Sequence, residues 1–248
     1  MDILNELRTF QIVIKLAVCL LGVGGMVWGA FAFPFFQQRA PVNRMASEIL
    51  KGRGFGFEAG VAQATQESSK TNRLLDCDPS SLHSELVVRL DVLDPKSKAD
   101  TTPVVSAGKT VLACAPSDSF AWLTLFWADA SKRGLTPINL DYLRMSYAFA
   151  PNESAIALWR NRIAISLFAK LPQDLADKSI DEFVKLVDTG NLFQEMASLY
   201  AVASPDARSR IVTSLKSRDT TTRQIFAREL YDRDLDTTLL DHPLRPWR

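Results

Sequence analysis

The longest uninterrupted apolar run in the chain extends from Leu16 to Phe36, 21 residues without a charged side chain. Because an α-helix rises about 1.5 Å per residue, about 20 apolar residues cross the hydrocarbon core of a bilayer. Trp28 and Phe35 lie toward the far end of the run, where aromatic side chains favour the membrane interface. The pattern therefore predicts a transmembrane helix over residues 16–36.

Two interpretations of this run stay open: an uncleaved signal anchor, or a secretory signal peptide cut after Ala30-Phe31-Ala32. The anchor is favoured because the apolar run continues through Phe36, beyond that cleavage site. Basic residues flank the run on both sides and do not decide its orientation. The short tail before the run favours a cytoplasmic N-terminus, with the remaining chain outside the cytosol. The flanking basic residues are Arg8 and Lys15 before the run, and Arg39, Arg44, Lys51 and Arg53 after it.

Downstream of Gly60, apolar residues recur at intervals of three and four, which is the period of amphipathic helices. Prolines and glycines divide this pattern into pieces of about 10–18 residues. Strand-like alternation is scarce, so we predict an all-α chain of short antiparallel helices. The clearest stripes are Leu82, Leu86, Leu90 and Leu93; Phe120, Leu123, Trp127 and Ala130; and Ile180, Phe183, Val184 and Val187.

These patterns divide the chain into four segments. Residues 1–36 form an N-terminal tail and the transmembrane signal anchor. Residues 37–60, which contain Pro41 and several glycines, form a linker and hinge, within which the pattern from Val42 to Leu50 is helical. Residues 61–238 form the helical domain. Residues 239–248 contain two prolines, cannot continue a helix and form a C-terminal tail.

Three segments of the helical domain resemble one another, each with a proline after a predicted helix. Pro79, Pro116 and Pro151 are separated by 37 and 35 residues, and a small polar or acidic residue near each can cap the next helix. Residues 119–152 match best, and they resemble the tetratricopeptide (TPR) family, whose unit is a helix–turn–helix pair of about 34 residues. This resemblance implies a degenerate, TPR-like α-helical solenoid of antiparallel helix pairs. The matching positions are Trp122-Leu123, Gly134, Tyr142-Leu143, Ser146-Tyr147-Ala148 and Ala150-Pro151-Asn152.

The combination of one membrane helix and a TPR-like domain resembles single-pass membrane proteins of bacterial surface polysaccharide (exopolysaccharide and O-antigen) loci. The similar phrases are residues 115–123, residues 148–154 and Trp159-Arg160-Asn161-Arg162. This resemblance implies a place in the bacterial inner membrane, a periplasmic domain, and a role in polysaccharide assembly or export. It identifies no active residue.

Charge and composition narrow the function classes. With 29 Lys+Arg against 28 Asp+Glu, the net charge of +1 lacks the basic excess of nucleic-acid-binding proteins. His83 and His242 are the only histidines, which leaves little material for histidine catalysis or a His-rich metal site. The carboxylates and hydroxyls show no catalytic spacing. The sequence therefore predicts no catalytic residue, no metal and no cofactor.

Cys77 and Cys114 each precede a proline by two residues, at equivalent places in the first two repeats. In an oxidising compartment they could form a disulfide across a 37-residue separation. The alternative is two buried thiols, because equivalent positions in stacked repeats lie about 8–10 Å apart and a disulfide needs Cα atoms within about 7 Å. Both interpretations stay open.

The remaining candidate residues are aromatic, basic or small. An aromatic groove could hold sugar rings or a partner helix, but packing between helices requires the same side chains. The two arginines could bind an acidic partner, pair with nearby carboxylates or stay solvated. Glycines spaced as GxxxG could pack two membrane helices, although glycine is common in such helices. The candidates are Trp122, Trp127, Trp159, Arg160 and Arg162 for binding, and Gly22, Gly25 and Gly29 for helix packing.

Helical-repeat domains bury their core between neighbouring repeats and present a long surface to other proteins. We therefore expect a non-catalytic membrane-anchored scaffold that binds protein partners at the inner membrane, in surface polysaccharide biosynthesis or export. Homodimers through the membrane helix are an open alternative to a monomer. Two other functions also stay open: a sugar-binding or catalytic subunit that uses the aromatic groove, and an assembly factor for another envelope complex.

Overall fold

The computed structural model of the chain describes residues 2–50, 77–91, 93 and 100–235. Over these residues the structure is all-helical and contains no strand, which confirms the predicted helical class. The chain divides into two compact units, Met1–Cys114 and Ala115–Arg248. The α-helices are α1 (Asp2–Leu50), α2 (Pro79–Asp91), α3 (Thr102–Cys114), α4 (Ser119–Arg133), α5 (Pro137–Phe149), α6 (Ser154–Ser166), α7 (Gln173–Asp188), α8 (Phe193–Val202), α9 (Pro205–Leu215) and α10 (Thr220–Tyr231), with a 3-10 turn at Phe168–Lys170.

Helix α1 is a single element of 49 residues that contains both the apolar run and much of the predicted linker. It passes through Pro34 and Pro41 and ends at Leu50, so the part of the 37–60 linker up to residue 50 is helical. A proline removes one helical hydrogen bond, a cost that tertiary packing can offset. That packing involves Val42 and Ala46, whose side chains are buried. Residues 51–60, with the glycines of the predicted hinge, lie outside the described residues.

The first unit combines the distal part of α1 with the hairpin of α2 and α3. Helix α2 packs on both α1 and α3. Its buried face includes Leu82 and Leu86, which belong to a predicted apolar stripe, together with Val87 and Val88. The unit boundary falls after Cys114, so α2 and α3 belong with α1 in the first unit. The boundary predicted at residue 61 lies outside the described residues and stays a prediction.

The second unit begins with the helix pair that matches the repeat best. Asp118 caps α4 by accepting a hydrogen bond from the backbone nitrogen of Ala121. Gly134 ends the helix at φ 71°, a backbone conformation that favours glycine. Thr136 and Asn139 then form a capping box at the start of α5. These local signals produce a tight turn, and α4 packs along α5.

Packing in the second unit joins helices that are near one another in the chain. The contacting pairs include α4–α5, α4–α6, α6–α7, α6–α8, α7–α8, α7–α9 and α8–α10. The apolar core contains Phe183, Tyr200 and Phe226, with ring centroids of Phe183 and Phe226 6.1 Å apart in an edge-to-face arrangement. The stripe of Ile180, Phe183, Val184 and Val187 is buried as predicted from its spacing. The predicted C-terminal tail, 239–248, lies outside the described residues.

Candidate functional site

One described helix is long and apolar enough to cross a membrane, over Gln11–Pro34 of α1. Its large apolar side chains are exposed; Leu20, Leu21 and Met26, for example, are each more than 70% exposed. Gly22, Gly25 and Gly29 lie on this helix, and a methyl group added at any of them would meet nothing within 4 Å. Their predicted role in packing two membrane helices stays a prediction.

The structure bonds Cys77 to Cys114, with Cα atoms 5.4 Å apart. The expected separation of about 8–10 Å does not apply because the two residues are the first and last of one helix hairpin and therefore lie at the same end of it. Cys77 precedes α2, and Cys114 is the last residue of α3, so an antiparallel hairpin returns the chain to its starting point. Cys19 is a free, exposed cysteine on α1.

The residue after Cys77 connects this hairpin to α1. The Asp78 Oδ2 atom lies 4.0 Å from the Arg39 Nη1 atom, and the Arg39 side chain is 7% exposed. An ion pair largely removed from water is screened less by salt than a surface pair. The end of the hairpin that carries the disulfide is therefore tied to α1 five residues after Pro34.

Arg160, one of the two arginines predicted as binding residues, is completely buried. Its guanidinium pairs with Glu182 of α7, and its Nε donates to Glu182 Oε1 at 3.0 Å. Its Nη1 donates to the Ser146 carbonyl at 2.6 Å, to the Ser146 hydroxyl at 3.0 Å and to the Ser119 hydroxyl at 3.3 Å. Its Nη2 donates to the Ala150 carbonyl at 3.0 Å. One side chain of α6 thus joins α4, α5 and α7.

An aromatic ring also contacts this guanidinium. Its central carbon lies 4.3 Å from the ring centroid of Tyr147, within the range of a cation–π contact. Burial raises the pKa of the Glu182 carboxyl, and the neighbouring Arg160 opposes that rise. Burial also raises the pKa of the Tyr147 hydroxyl, so this phenol stays protonated at neutral pH. Arg160 has every nitrogen occupied by a protein partner, so the cluster is built to hold helices together.

Arg162 follows Arg160 by two residues and is exposed, as expected from the angular spacing of residues on a helix. Asn161 is buried and donates from Nδ2 to the Ser179 carbonyl at 2.7 Å, a second polar link between α6 and α7. The pair predicted as a possible acidic-partner site is thus divided. Arg160 faces the core and Arg162 faces solvent.

The three predicted tryptophans have different neighbours. Trp122 donates from Nε1 to the Pro116 carbonyl at 2.8 Å, and its ring lies 5.7 Å from that of Tyr142. Trp159 is 41% exposed and packs edge-on against Phe120, with centroids 6.5 Å apart. Trp127 is half-buried. Trp122 and Trp159 therefore already make contacts within the protein.

Sequence reasoning missed Glu182, Ser119, Ser146 and Tyr147 as partners of Arg160. Helical spacing contained the signal: Arg160 lies three residues after buried Ala157 and four before buried Ala164. A charged residue in register with an apolar stripe needs a partner, because burial of an unpaired charge is costly. Glu182 occupies the same kind of position on α7, three residues after buried Ser179 and four before buried Leu186.

The part of the chain that the structure describes contains no group of three His, Cys, Asp or Glu residues placed to hold a metal ion. A cleft of about 350 Å³ lies between α7 and α9, but its Asp177 and Arg210 pair with each other, and its Arg218 pairs with Asp188. In comparisons with known proteins, no family model, curated protein or solved structure matches this chain.

Proposed function

We propose that this protein is a membrane-anchored, non-catalytic scaffold that binds protein partners outside the cytosol during assembly or export of a bacterial surface polysaccharide. The proposal rests on one feature of α1, an apolar segment long enough to cross a membrane. This segment, Gln11–Pro34, has exposed large side chains and continues within the same helix into a distal part that packs against α2. An apolar surface of this size needs a nonaqueous partner, and a bilayer matches its length.

The second unit suits a scaffold because its packing resembles that of a helical-repeat array. Helix α4 contacts α5 and α6, and α6 contacts α7 and α8, so each of these helices packs mainly on near neighbours in the chain. Repeat proteins are stabilised by such nearest-neighbour contacts and bind partners along their surface. We propose a degenerate TPR-like arrangement for this unit, in the bacterial inner membrane protein that the sequence resemblance implies.

Large apolar side chains on the surface of the second unit offer contact points for partners. Ile138, Phe149 and Trp159 are 57%, 40% and 41% exposed, on α5 and α6. Aromatic side chains of this kind are enriched in protein–protein interfaces. Trp159 is the sharpest position to test, because Arg162 on the same helix is also exposed and provides a matched control.

The test is in-cell photocrosslinking of the full chain with benzoylphenylalanine placed at Trp159 or at Arg162. A scaffold gives discrete crosslinked products at Trp159 that contain an integral membrane protein, with weaker or different products at Arg162. Identical diffuse products at both positions, with the protein correctly inserted, contradict a specific scaffold. Mass spectrometry of the products identifies the partner and shows whether it belongs to polysaccharide assembly.

A sugar-binding function predicts a different result. The indole nitrogen and ring of Trp122 already have protein partners, so a sugar would have to displace them. Titration of the full chain with polysaccharide fragments measures this directly by tryptophan fluorescence. Saturable quenching that disappears in Trp122→Ala would support the sugar-binding function and count against the scaffold.

A further inference from the structure

We infer that the disulfide-bonded end of the first unit rests on the lipid headgroups of the bilayer, held there by α1 as a rigid stalk. This inference rests on the proposed insertion of α1 in a membrane. It adds an interaction surface, made of the Cys77–Cys114 bond and the first residues of α2, and it names the headgroup layer as the partner.

The first step is the distance along α1. The apolar segment ends at Pro34, and Arg39 follows five residues later in the same unbroken helix. Five residues correspond to a rise of about 7.5 Å. Each headgroup layer is about 5–7 Å thick, from the difference between the full bilayer and its hydrocarbon core. Arg39 therefore lies at the outer limit of the headgroup layer, and any tilt of α1 brings it closer to the lipid.

The second step is the contact of Arg39 with the hairpin. Its guanidinium lies 4.0 Å from Asp78, which immediately follows Cys77 and immediately precedes α2. Cys77, Pro79 and Ser80 are exposed at this end. Because Cys114 is bonded to Cys77, the end of α3 lies at the same level.

The third step is the direction of α2. The covered apolar side chains on this face of α1 are Ala32, Val42 and Ala46, at 7%, 4% and 2% exposure, whereas Val27 and Trp28 deeper in the apolar segment are 66% and 62% exposed. Two of the three covered residues lie beyond Arg39, and α2 packs on α1, so in the inferred arrangement α2 runs along the distal part and away from the membrane. Its far end at Asp91 lies 11 residues beyond Ser80, which is about 16 Å farther from the bilayer.

A rigid stalk of this kind differs from the flexible linker usual between an anchor and its domain. With a flexible linker, the hairpin would sample many heights above the membrane. With a continuous helix, the height is fixed by the number of residues between the apolar segment and the contact with Asp78. The first unit thus presents the same surface to the lipid in every molecule.

The experiment is a depth measurement on the full chain in phosphatidylcholine vesicles. A ketone-bearing amino acid at Ser80, or at Asp91 in a second protein, carries a nitroxide and leaves the native cysteines untouched. Power saturation with oxygen and with a nickel chelate on the lipid headgroups gives the height of each label. We expect Ser80 at headgroup level and Asp91 about 16 Å farther out, from the helical rise.

A third protein separates the inference from the proposed function. It carries six Gly/Ser residues between Phe36 and Gln37, together with the Ser80 label. We expect this label to lie farther from the bilayer on average, with a broader distribution of heights. Equal heights for Ser80 and Asp91, or no change on insertion of the linker, would overturn the inference if alkaline carbonate leaves the protein in the vesicles. Extraction of the unmodified chain by carbonate would overturn the membrane anchor, and with it the proposed function.

Discussion

Replacement of Arg160 tests whether its buried ion pair with Glu182 stabilises the second unit. Arg160→Ala removes the arginine that pairs with Glu182, a carboxylate that is 8% exposed. It also leaves the Ser146 and Ala150 carbonyls without the guanidinium donors that they now accept from. Removal of one partner from a buried ion pair costs about 3–5 kcal/mol. For a unit of this size that corresponds to a fall in Tm of roughly 10–20 °C.

The assay is thermal unfolding of the full chain in detergent, followed by tryptophan fluorescence. Trp122, Trp127 and Trp159 all lie in the second unit and report on its unfolding. Arg162→Ala is the matched control, because this exposed arginine on the same helix should change stability by less than about 0.5 kcal/mol. If both variants unfold within about 0.5 kcal/mol of the unmodified protein, the account of the buried pair is wrong.

The pH dependence gives a second readout of the same pair. The pKa of Glu182 is raised by burial above its ordinary 4.5, so protonation favours the folded state. That contribution is present below the unfolded pKa and is lost as pH rises through the folded pKa. Without Arg160 the pKa rises further, because burial remains while the attraction is lost. The loss of unfolding free energy in Arg160→Ala should therefore shrink as the pH falls from 8 to about 5. Glu182→Gln added to Arg160→Ala should recover part of that loss at pH 8, because it removes the unpaired carboxylate.

Three other substitutions follow from the structure, each read by unfolding of the full chain. Cys77→Ser breaks the bond with Cys114, frees a 37-residue loop and should lower the free energy of unfolding of the first unit by about 3–4 kcal/mol. Mass mapping that finds both thiols free in the unmodified protein would contradict this prediction. Asn139→Ala removes bonds from Nδ2 to Asp129 and to the Gly134 carbonyl, so it should cost about 1–3 kcal/mol. Gly134→Ala should cost about 1–3 kcal/mol through backbone strain alone, because φ is 71° and no atom lies within 4 Å of the added methyl; an unchanged Tm contradicts this conformation.

Periodicity predicted the helical class because each helix buries one stripe of its surface. The Ile180–Val187 stripe and the Leu82 and Leu86 positions illustrate this, since spacing alone placed them in the core. The turn at Gly134 was also predictable, because a left-handed backbone at a helix end favours glycine. Local sequence therefore contained most of the secondary structure.

Long-range packing was harder to predict, as α1 and Arg160 show. Pro34 and Pro41 signal a helix end locally, yet the helix continues because Val42 and Ala46 are buried. Arg160 was predicted to bind an acidic partner, to pair with a nearby carboxylate or to stay solvated, and no local pattern identifies Glu182, 22 residues away on the next helix, as its partner. Both outcomes depend on contacts between elements, which a single sequence does not specify.

The central claim is that α1 holds a helical scaffold in the membrane with its packed helices outside the cytosol. The most direct measurement is a reporter enzyme that is active only outside the cytosol, fused after Arg248 and assayed in carbonate-washed membranes. The account predicts that the activity stays with the washed membranes. Activity released into the soluble fraction, or a full-length fusion that is membrane-bound but inactive, would contradict it.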